Sequence, residues 1–358
     1  MEILELRLAN VRNVEFAELM PAPGISEFVG ENGAGKTSVL ESVFMLSHGR
    51  SFRSVKRESL IQFGADSLDV FARLRGAAGE RRLGLSRRRG DWAARVDGRE
   101  VASLAELLGE IAVVCFEPGS HALISGASEE RRHFVDWALF HVEPEYMEVS
   151  RRYRRALKQR NTLLRSGRAV AELESWDVEL ARSGVLLDNW RDRYLRELLP
   201  ELQQLCLLLL PELGAPDLRY SRGWLPELDL LDALRERRIR DLERGHTSTG
   251  PHRADWKIGF ELAPEREHLS RGQEKLCALA FLLAQAALFS RQRGEWPVLC
   301  LDDLASELDA GHQRRVLSWL LQTGAQVMIT GTAALDQNGF EASSYQMFHV
   351  ERGRVLAY

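Results

Sequence analysis

Eight consecutive residues, Gly30, Glu31, Asn32, Gly33, Ala34, Gly35, Lys36 and Thr37, fit the spacing G-x-x-x-x-G-K-[ST]. That spacing suits a loop whose backbone N–H groups turn inward around phosphate oxygens. The three glycines permit dihedrals and a close approach that a side chain would block. Lys36 is then placed to reach the β- and γ-phosphates, and the Thr37 hydroxyl to enter a Mg²⁺ shell. Far along the chain, the apolar run Val298 to Leu301 ends in Asp302 and Asp303. A carboxylate at a strand end opposite Thr37 can hold Mg²⁺, directly or through water, which is the role expected of Asp302. Asp303 is then the group to orient or deprotonate an attacking water. On its own the pair reads equally as an ordinary strand-end turn; beside the loop it reads as the second half of a nucleotide site. Leu269, Ser270, Arg271, Gly272 and Gln273 precede a long apolar helix. Ser270 can cap that helix, whose free N–H groups and positive dipole end favour an anion. A cap does not explain Gly272, which costs about 1 kcal/mol in a helix unless something must approach closely.

The elements around these residues suit the roles. Residues 25–29 read as a short strand entering the loop and 38–46 as a helix leaving it. Residues 1–19 alternate as two strands, and 68–96 form short alternating runs separated by Gly-rich turns, with Asp97 and Gly98 closing the last. The continuous apolar run 111–116 is expected to be a central buried strand. From about 120 to 245 apolar residues recur at helical spacing, with Pro200 and Pro211 expected to bracket the segment 205–210. Strands and helices then alternate: strand 256–262, helix 271–290, strand 298–301, helix 307–321 and strand 326–330. This predicts an α/β protein with a mostly parallel sheet, formed by 1–119 and 246–358 together, with an antiparallel β subdomain at about 65–100 and a helical subdomain inserted at 120–245.

The totals narrow the class. The chain has 358 residues, 45% hydrophobic and 28% charged, as an ordinary soluble protein does. A net charge of -4 means that any nucleic-acid contact must come from local basic patches. The four cysteines, Cys115, Cys206, Cys277 and Cys300, form no C-x-x-C pair and point to reduced core residues of a cytoplasmic protein. No signal peptide, membrane-spanning stretch, metal-site spacing or internal repeat is evident.

The segment Leu269 to Gln273 resembles the signature sequence of ABC-type ATPases, and Ser306, Glu307, Leu308 and Asp309 resemble their D-loop. The motifs Arg50 to Arg53, Glu130 to Trp137 and Gly250 to Arg253, in order with those above, resemble more narrowly the RecF family, relatives of the SMC and Rad50 ATPases. The resemblance spans nearly the whole chain and implies an ABC-type ATPase head with a P-loop core, an antiparallel meander and a helical arm without coiled coil. It implies an ATP-dependent homodimer in which Ser270, Gly272 and Gln273 of one copy meet the γ-phosphate held by the other, with Asp309 and Thr332 near the nucleotide. It further implies ATP and Mg²⁺ as cofactors, duplex and gapped DNA as ligand, and work with RecR and RecO in loading RecA at single-strand gaps. Relatives usually carry Glu where Asp303 stands, so a weak, DNA-stimulated ATPase is expected. Hydroxyls of Thr330 and Thr332 stand where transporters carry His. The family's Asp after His-Arg is Ala254 here, and Gly119 and Ser120 also depart from its pattern.

For DNA itself, Arg151, Arg152, Arg154, Arg155, Lys158, Arg160, Arg165 and Arg168 fall within 18 positions that hold no acidic residue. They read as a phosphate-contact surface or, equally, as a solvated helix face paired with Glu172 and Glu174. A second cluster, Arg81, Arg82, Arg87, Arg88 and Arg89, offers another. His252 and Arg253 suit either the nucleotide and subunit interface or a structural loop. The rival reading of the whole chain is a soluble ABC-type ATPase subunit that powers a process without DNA.

Overall fold

The computed structural model describes residues 1–53, 57–88, 91–166, 170–335 and 344–358. The chain divides into two units, Met1–Ser120 with Lys275–Tyr358, and His121–Glu274. The insertion thus ends later than the expected 245, because strand β10 (Asp255–Phe260) pairs with β9 (Pro216–Ser221) inside the second unit.

Two six-stranded sheets build the first unit. In one, β1 (Glu2–Val11) lies between β2 (Val14–Leu19) and β4 (Ser67–Gly76), followed by β5 (Gly79–Arg88), β6 (Asp91–Val96) and β7 (Arg99–Glu100), all antiparallel. Alternation sends Leu68, Val70, Ala72 and Leu74 into the core and their neighbours outward. Asp97 and Gly98 both take positive φ, 51° and 81°. That conformation matches the twist of a two-residue hairpin.

The other sheet has the order β14 (Arg354–Ala357), β13 (Tyr345–Glu351), β3 (Ile25–Val29), β12 (Val327–Gly331), β11 (Val298–Leu301) and β8 (Val113–Phe116). All its pairings are parallel except β13 with β14. The apolar run expected at the centre forms β8, at one end of the sheet; it is buried but, among the described residues, pairs on one side only. Because β3, β12 and β11 are parallel neighbours, their carboxyl ends lie along one edge, where open α/β sheets bind ligands. Helix α1 (Lys36–His48) follows the loop after β3 and is buried nearly all round. Helices α2 (Leu104–Leu108), α8 (Arg271–Arg293), α9 (Leu304–Glu307) and α10 (Ala310–Thr323) complete this part of the chain.

The second unit contains α3 (Ala122–Ser125), α4 (Ser128–Val142), α5 (Tyr146–Ser166), α6 (Val170–Leu209) and α7 (Leu230–Arg244), with the β9–β10 ribbon and the first turn of α8. Pro200 does not bound a segment; it lies inside α6. Pro200 and Arg196 are both exposed, so water can reach the Arg196 carbonyl that proline leaves without a donor. The unit is fastened by forked ion pairs. Arg131 donates to both oxygens of Asp255 at 2.7 and 3.0 Å, and Arg132 donates to the Ala254 carbonyl at 2.8 Å. Arg191 grips both oxygens of Asp136 at 2.9 Å and donates to the Pro251 carbonyl at 2.7 Å. The motifs around Glu130 and Gly250 are therefore welded to each other, and Ala254 sits fully buried between their partners. Among the described residues, no helix is long and apolar enough to cross a membrane.

Candidate nucleotide site

The phosphate loop follows β3 with the glycine geometry that its pattern demands. Gly33 and Gly35 have φ of 81° and 119°, and a Cβ on Gly30 would lie 2.1 Å from the Val350 carbonyl oxygen. Gly35 is the N-cap of α1 and provides no side-chain cap, so the first-turn N–H groups are left to a ligand. Two contacts from outside the motif fix the loop. Asn13, in the β1–β2 turn, donates to the Gly33 carbonyl at 2.8 Å, and Gly353 N–H donates to the Ala34 carbonyl at 2.7 Å. Lys36 donates to the carbonyls of Gly30 and Glu31 at 2.7 and 2.9 Å. Burial pulls its pKa down, opposed by the charges of Asp303 and Asp302.

The structure brings the two distant halves of the motif set together. Thr37 Oγ1 donates to Asp302 Oδ1 at 2.8 Å across 265 positions of sequence. Thr330, at the end of β12, donates to the same oxygen at 2.8 Å. Desolvation pushes the Asp302 carboxyl above its ordinary pKa, against these two hydrogen bonds and the charge of Arg53. Thr330 also accepts the Asp303 N–H at 2.8 Å. Asp303 adopts a left-handed backbone, φ 54°, that only a minority of non-glycine residues take, and Ser306 Oγ donates to its carboxylate at 2.8 Å. Thr332, expected near the nucleotide, is exposed beyond β12, and Thr330 is the hydroxyl that reaches the carboxylates. Asp309 caps α10 through the N–H groups of Gly311 and His312 at 2.8 and 3.0 Å, bonds that hold its pKa down.

The hydroxyl of Thr37 and the carboxylate of Asp302 are hard oxygen donors on one spot. That set fits Mg²⁺, which usually takes one or two protein ligands and completes its shell with substrate phosphate and water. Glu41, in α1, is wholly buried and answered by Arg12 at 2.7 and 2.8 Å and by the Ser51 hydroxyl, which ties the Arg50–Arg53 segment to the loop helix.

In the second unit Ser270 and Gln273 form a reciprocal cap. Gln273 N–H donates to Ser270 Oγ at 3.3 Å and Ser270 N–H to Gln273 Oε1 at 3.0 Å. A Cβ on Gly272 would meet only Ser270 Oγ, at 4.0 Å, so no neighbour in the chain demands glycine there. Of the basic stretch, Arg151, Arg154, Arg155 and Lys158 are exposed on one face of α5, and Arg152 pairs with Glu179 at 2.9 Å. Arg160 does not belong with them. It is fully buried and pairs with Asp177 at 2.6 Å and Asp241 at 2.8 Å, so it is a core ion cluster and no phosphate contact. Arg168 and Arg89 lie outside the described residues. In the second cluster Arg81 pairs with Asp97 at 2.8 Å and Arg87 reaches the Gly49 carbonyl at 3.3 Å. His252 is structural: its Nε2 lies 3.1 Å from the Thr247 carbonyl and must donate, which leaves Nδ1 to accept from Tyr153 at 2.7 Å.

These features define an ABC/SMC-type ATPase head. A family model, the RecF/RecN/SMC N terminal domain, matches residues 2–354. The chain is 49% identical to DNA replication and repair protein RecF of Xanthomonas euvesicatoria pv. vesicatoria (strain 85-10), over 99% of this chain and 98% of that protein. It is 48% identical to that of Stenotrophomonas maltophilia (strain R551-3) over the whole of both. A solved structure of the recombination mediator protein RecF with ATP in the RecFOR pathway superposes with a TM-score of 0.90 at 28% identity, covering 99% of this chain and 97% of that one. The Smc head bound to the C-winged helix domain of ScpA shares the fold, with a TM-score of 0.63 at 16% identity, covering 100% and 97%. The chain belongs to the RecF family.

Proposed function

We propose that this protein is a DNA replication and repair ATPase that dimerises with ATP on duplex DNA beside single-strand gaps. With RecR and RecO it helps to load RecA there, and slow hydrolysis times its release. The observation that carries the reading is the pair of hydrogen bonds joining Thr37 and Thr330 to Asp302 beneath an intact phosphate loop, in a chain 49% identical to a RecF protein.

In this mechanism the loop N–H groups and the N-terminus of α1 hold the phosphates. Lys36 leaves the Gly30 and Glu31 carbonyls for the β/γ-phosphate oxygens, whose negative charge answers the buried ammonium. Thr37 and Asp302 would hold Mg²⁺, which would supply neutralisation of phosphate charge. Asp303, aimed by its left-handed backbone and by Ser306, orients the water or takes its proton, and its short reach makes that step inefficient. Ser270, Gly272 and Gln273 of a second copy supply the remaining contacts to the γ-phosphate. The exposed face of α5 meets DNA phosphates without base readout.

ATP turnover measured with and without duplex DNA tests the reading. Stimulation by DNA, lost on reversing Arg151, Arg154, Arg155 and Lys158 to Glu, supports it. Turnover indifferent to DNA would instead favour a soluble ATPase subunit with another task.

A further inference from the structure

The N-terminal turn of α8, which the function proposed above assigns to the γ-phosphate of a second copy, has an acidic neighbour. Glu212 Oε1 accepts a hydrogen bond from Gln273 Nε2 at 3.3 Å. Both ends of the Gln273 amide are thereby engaged inside the chain, because its Oε1 accepts the Ser270 N–H at 3.0 Å. Glu212 stands at the foot of α6, and the local sequence builds its position. The helix ends at Leu209, and Pro211 has no N–H with which to prolong it. Leu210 and Leu213 are buried, while Pro211 and Glu212 between them face water. Leu213 N–H donates to the Leu210 carbonyl at 3.1 Å and closes a tight turn. Two further bonds sew that turn to the chain just past β10: Leu262 N–H donates to the Leu213 carbonyl at 3.1 Å, and Glu261 N–H to the Ala215 carbonyl at 3.0 Å. Gly214 lies between them with φ 76°, and a Cβ there would stand 2.9 Å from Glu261 Cβ and Oε2. The turn therefore has no slack, and Glu212 is held against the first turn of α8.

We propose that Glu212 is a positioning residue that acts through Gln273 to oppose closure of the ATP-bound dimer. Two effects have the same sign. The carboxylate draws the Gln273 amide toward the foot of α6 and away from an incoming nucleotide. Its negative charge also lies beside a helix end suited to an anion, where it repels phosphate. Among the described residues no Lys or Arg pairs with Glu212, so the charge is not cancelled locally. Neither the cap nor the turn requires an acid. Ser270 and Gln273 satisfy each other, and backbone bonds close the turn after α6. The consequence is timing. A dimer sealed by two ATP molecules and opened only by inefficient hydrolysis would release its DNA slowly. One carboxylate at each of the two sites keeps closure marginal and lets the copies part. The inference rests on the dimer proposed above and adds a residue that tunes its lifetime.

The test is the dimer dissociation constant of the full-length protein in saturating Mg²⁺-ATP, measured by analytical ultracentrifugation for the parent, Glu212→Gln and Glu212→Ala. Glutamine keeps the shape and an oxygen that can accept from Gln273 but removes the charge; alanine removes both. Glu212 is exposed, so melting curves and ATP binding by the single chain should match the parent. An exposed charge shifts an equilibrium by about two- to fivefold, and the dimer has two sites, so both variants should dimerise about four- to twentyfold more tightly. The gap between parent and Glu212→Gln should close as salt rises from about 0.1 to about 1 M, where the Debye length falls from about 10 to about 3 Å. A purely structural hydrogen bond gives another pattern, with glutamine like the parent and alanine looser. That pattern, or unchanged dimerisation in both variants, would overturn the proposal while leaving the dimer intact. A parent that stays monomeric with ATP would instead refute the dimer itself, and the inference with it.

Discussion

Thr330 and Asp302 meet through a 2.8 Å hydrogen bond at the carboxyl ends of neighbouring strands, and the same hydroxyl accepts the Asp303 N–H at 2.8 Å. One side chain thus holds the carboxylate proposed to bind Mg²⁺ and accepts the backbone N–H of the next residue. Thr330→Val preserves shape and removes both bonds. The part-buried N–H then loses its acceptor, and stability should fall by about 1–3 kcal/mol. The apparent affinity for Mg²⁺ in ATP turnover should weaken by about 10–100-fold, as when a ligand's supporting partner is lost. Thr330→Ser should restore most of both. Denaturant melts and Mg²⁺ titrations of turnover would measure this; a valine variant with an unchanged Mg²⁺ requirement contradicts the assigned role.

Asp302→Asn should separate stability from function. Burial raises the carboxyl's pKa in the folded state, so its favourable contribution exists only while it is protonated and is lost as pH rises through that raised value. At neutral pH the native protein bears the cost of a buried charge. The amide oxygen can accept both hydroxyl bonds without that charge. The variant should therefore melt no lower than the parent at pH 7 and fail to use Mg²⁺-ATP. A variant less stable by more than about 1 kcal/mol would show that the ionised carboxylate is stabilising in place.

The phosphate loop was legible because all its chemistry is local in sequence, and the parallel order of its sheet could be inferred from alternating elements. What escaped was placement. Asn13 and Gly353 touch the loop only because a turn and a hairpin arrive there in three dimensions, and no spacing rule connects them to Lys36. The sequence offers Thr330 and Thr332 as a hydroxyl pair, and only the strand's end decides that Thr330, not Thr332, meets Asp302. Arg160 departs from the basic face because composition counts charges without sides. It shares the inward face of α5 with Tyr153, Ala156 and Leu164, where a cation must be answered by Asp177 and Asp241.

That burial gives a contrast within one helix. Arg160→Ala strips the cation from buried Asp241 and leaves buried Asp177 with Arg238 alone, and should cost about 3–5 kcal/mol. Arg154→Ala, Arg155→Ala and Lys158→Ala, at exposed positions, should each change stability by less than about 0.5 kcal/mol. If they meet DNA, each should lower the salt slope of duplex binding by about one. Thermal melts and binding at several salt concentrations distinguish the two behaviours; a stable Arg160→Ala protein would contradict the core assignment.

His252 should make the second unit acid-sensitive. Burial lowers its pKa from 6.5 to about 4, so the unfolded chain takes up the proton first as pH falls. The neutral ring's contribution is whole above pH 6.5 and is lost between there and about 4, with a ceiling of about 3 kcal/mol. His252→Gln should flatten this part of the stability profile. Parallel profiles for parent and variant would assign the acid sensitivity elsewhere.

Gly30–Thr37 is proposed to form half of an ATP site whose other half, Ser270–Gln273, belongs to a second copy. Light scattering of the full-length protein with Mg²⁺-ATP, with ADP and with no nucleotide tests it most directly. A dimer is expected with ATP alone among the three, and Ser270→Arg should stay monomeric while still binding ATP. A protein that stays monomeric with ATP, even when duplex DNA is present, would contradict it.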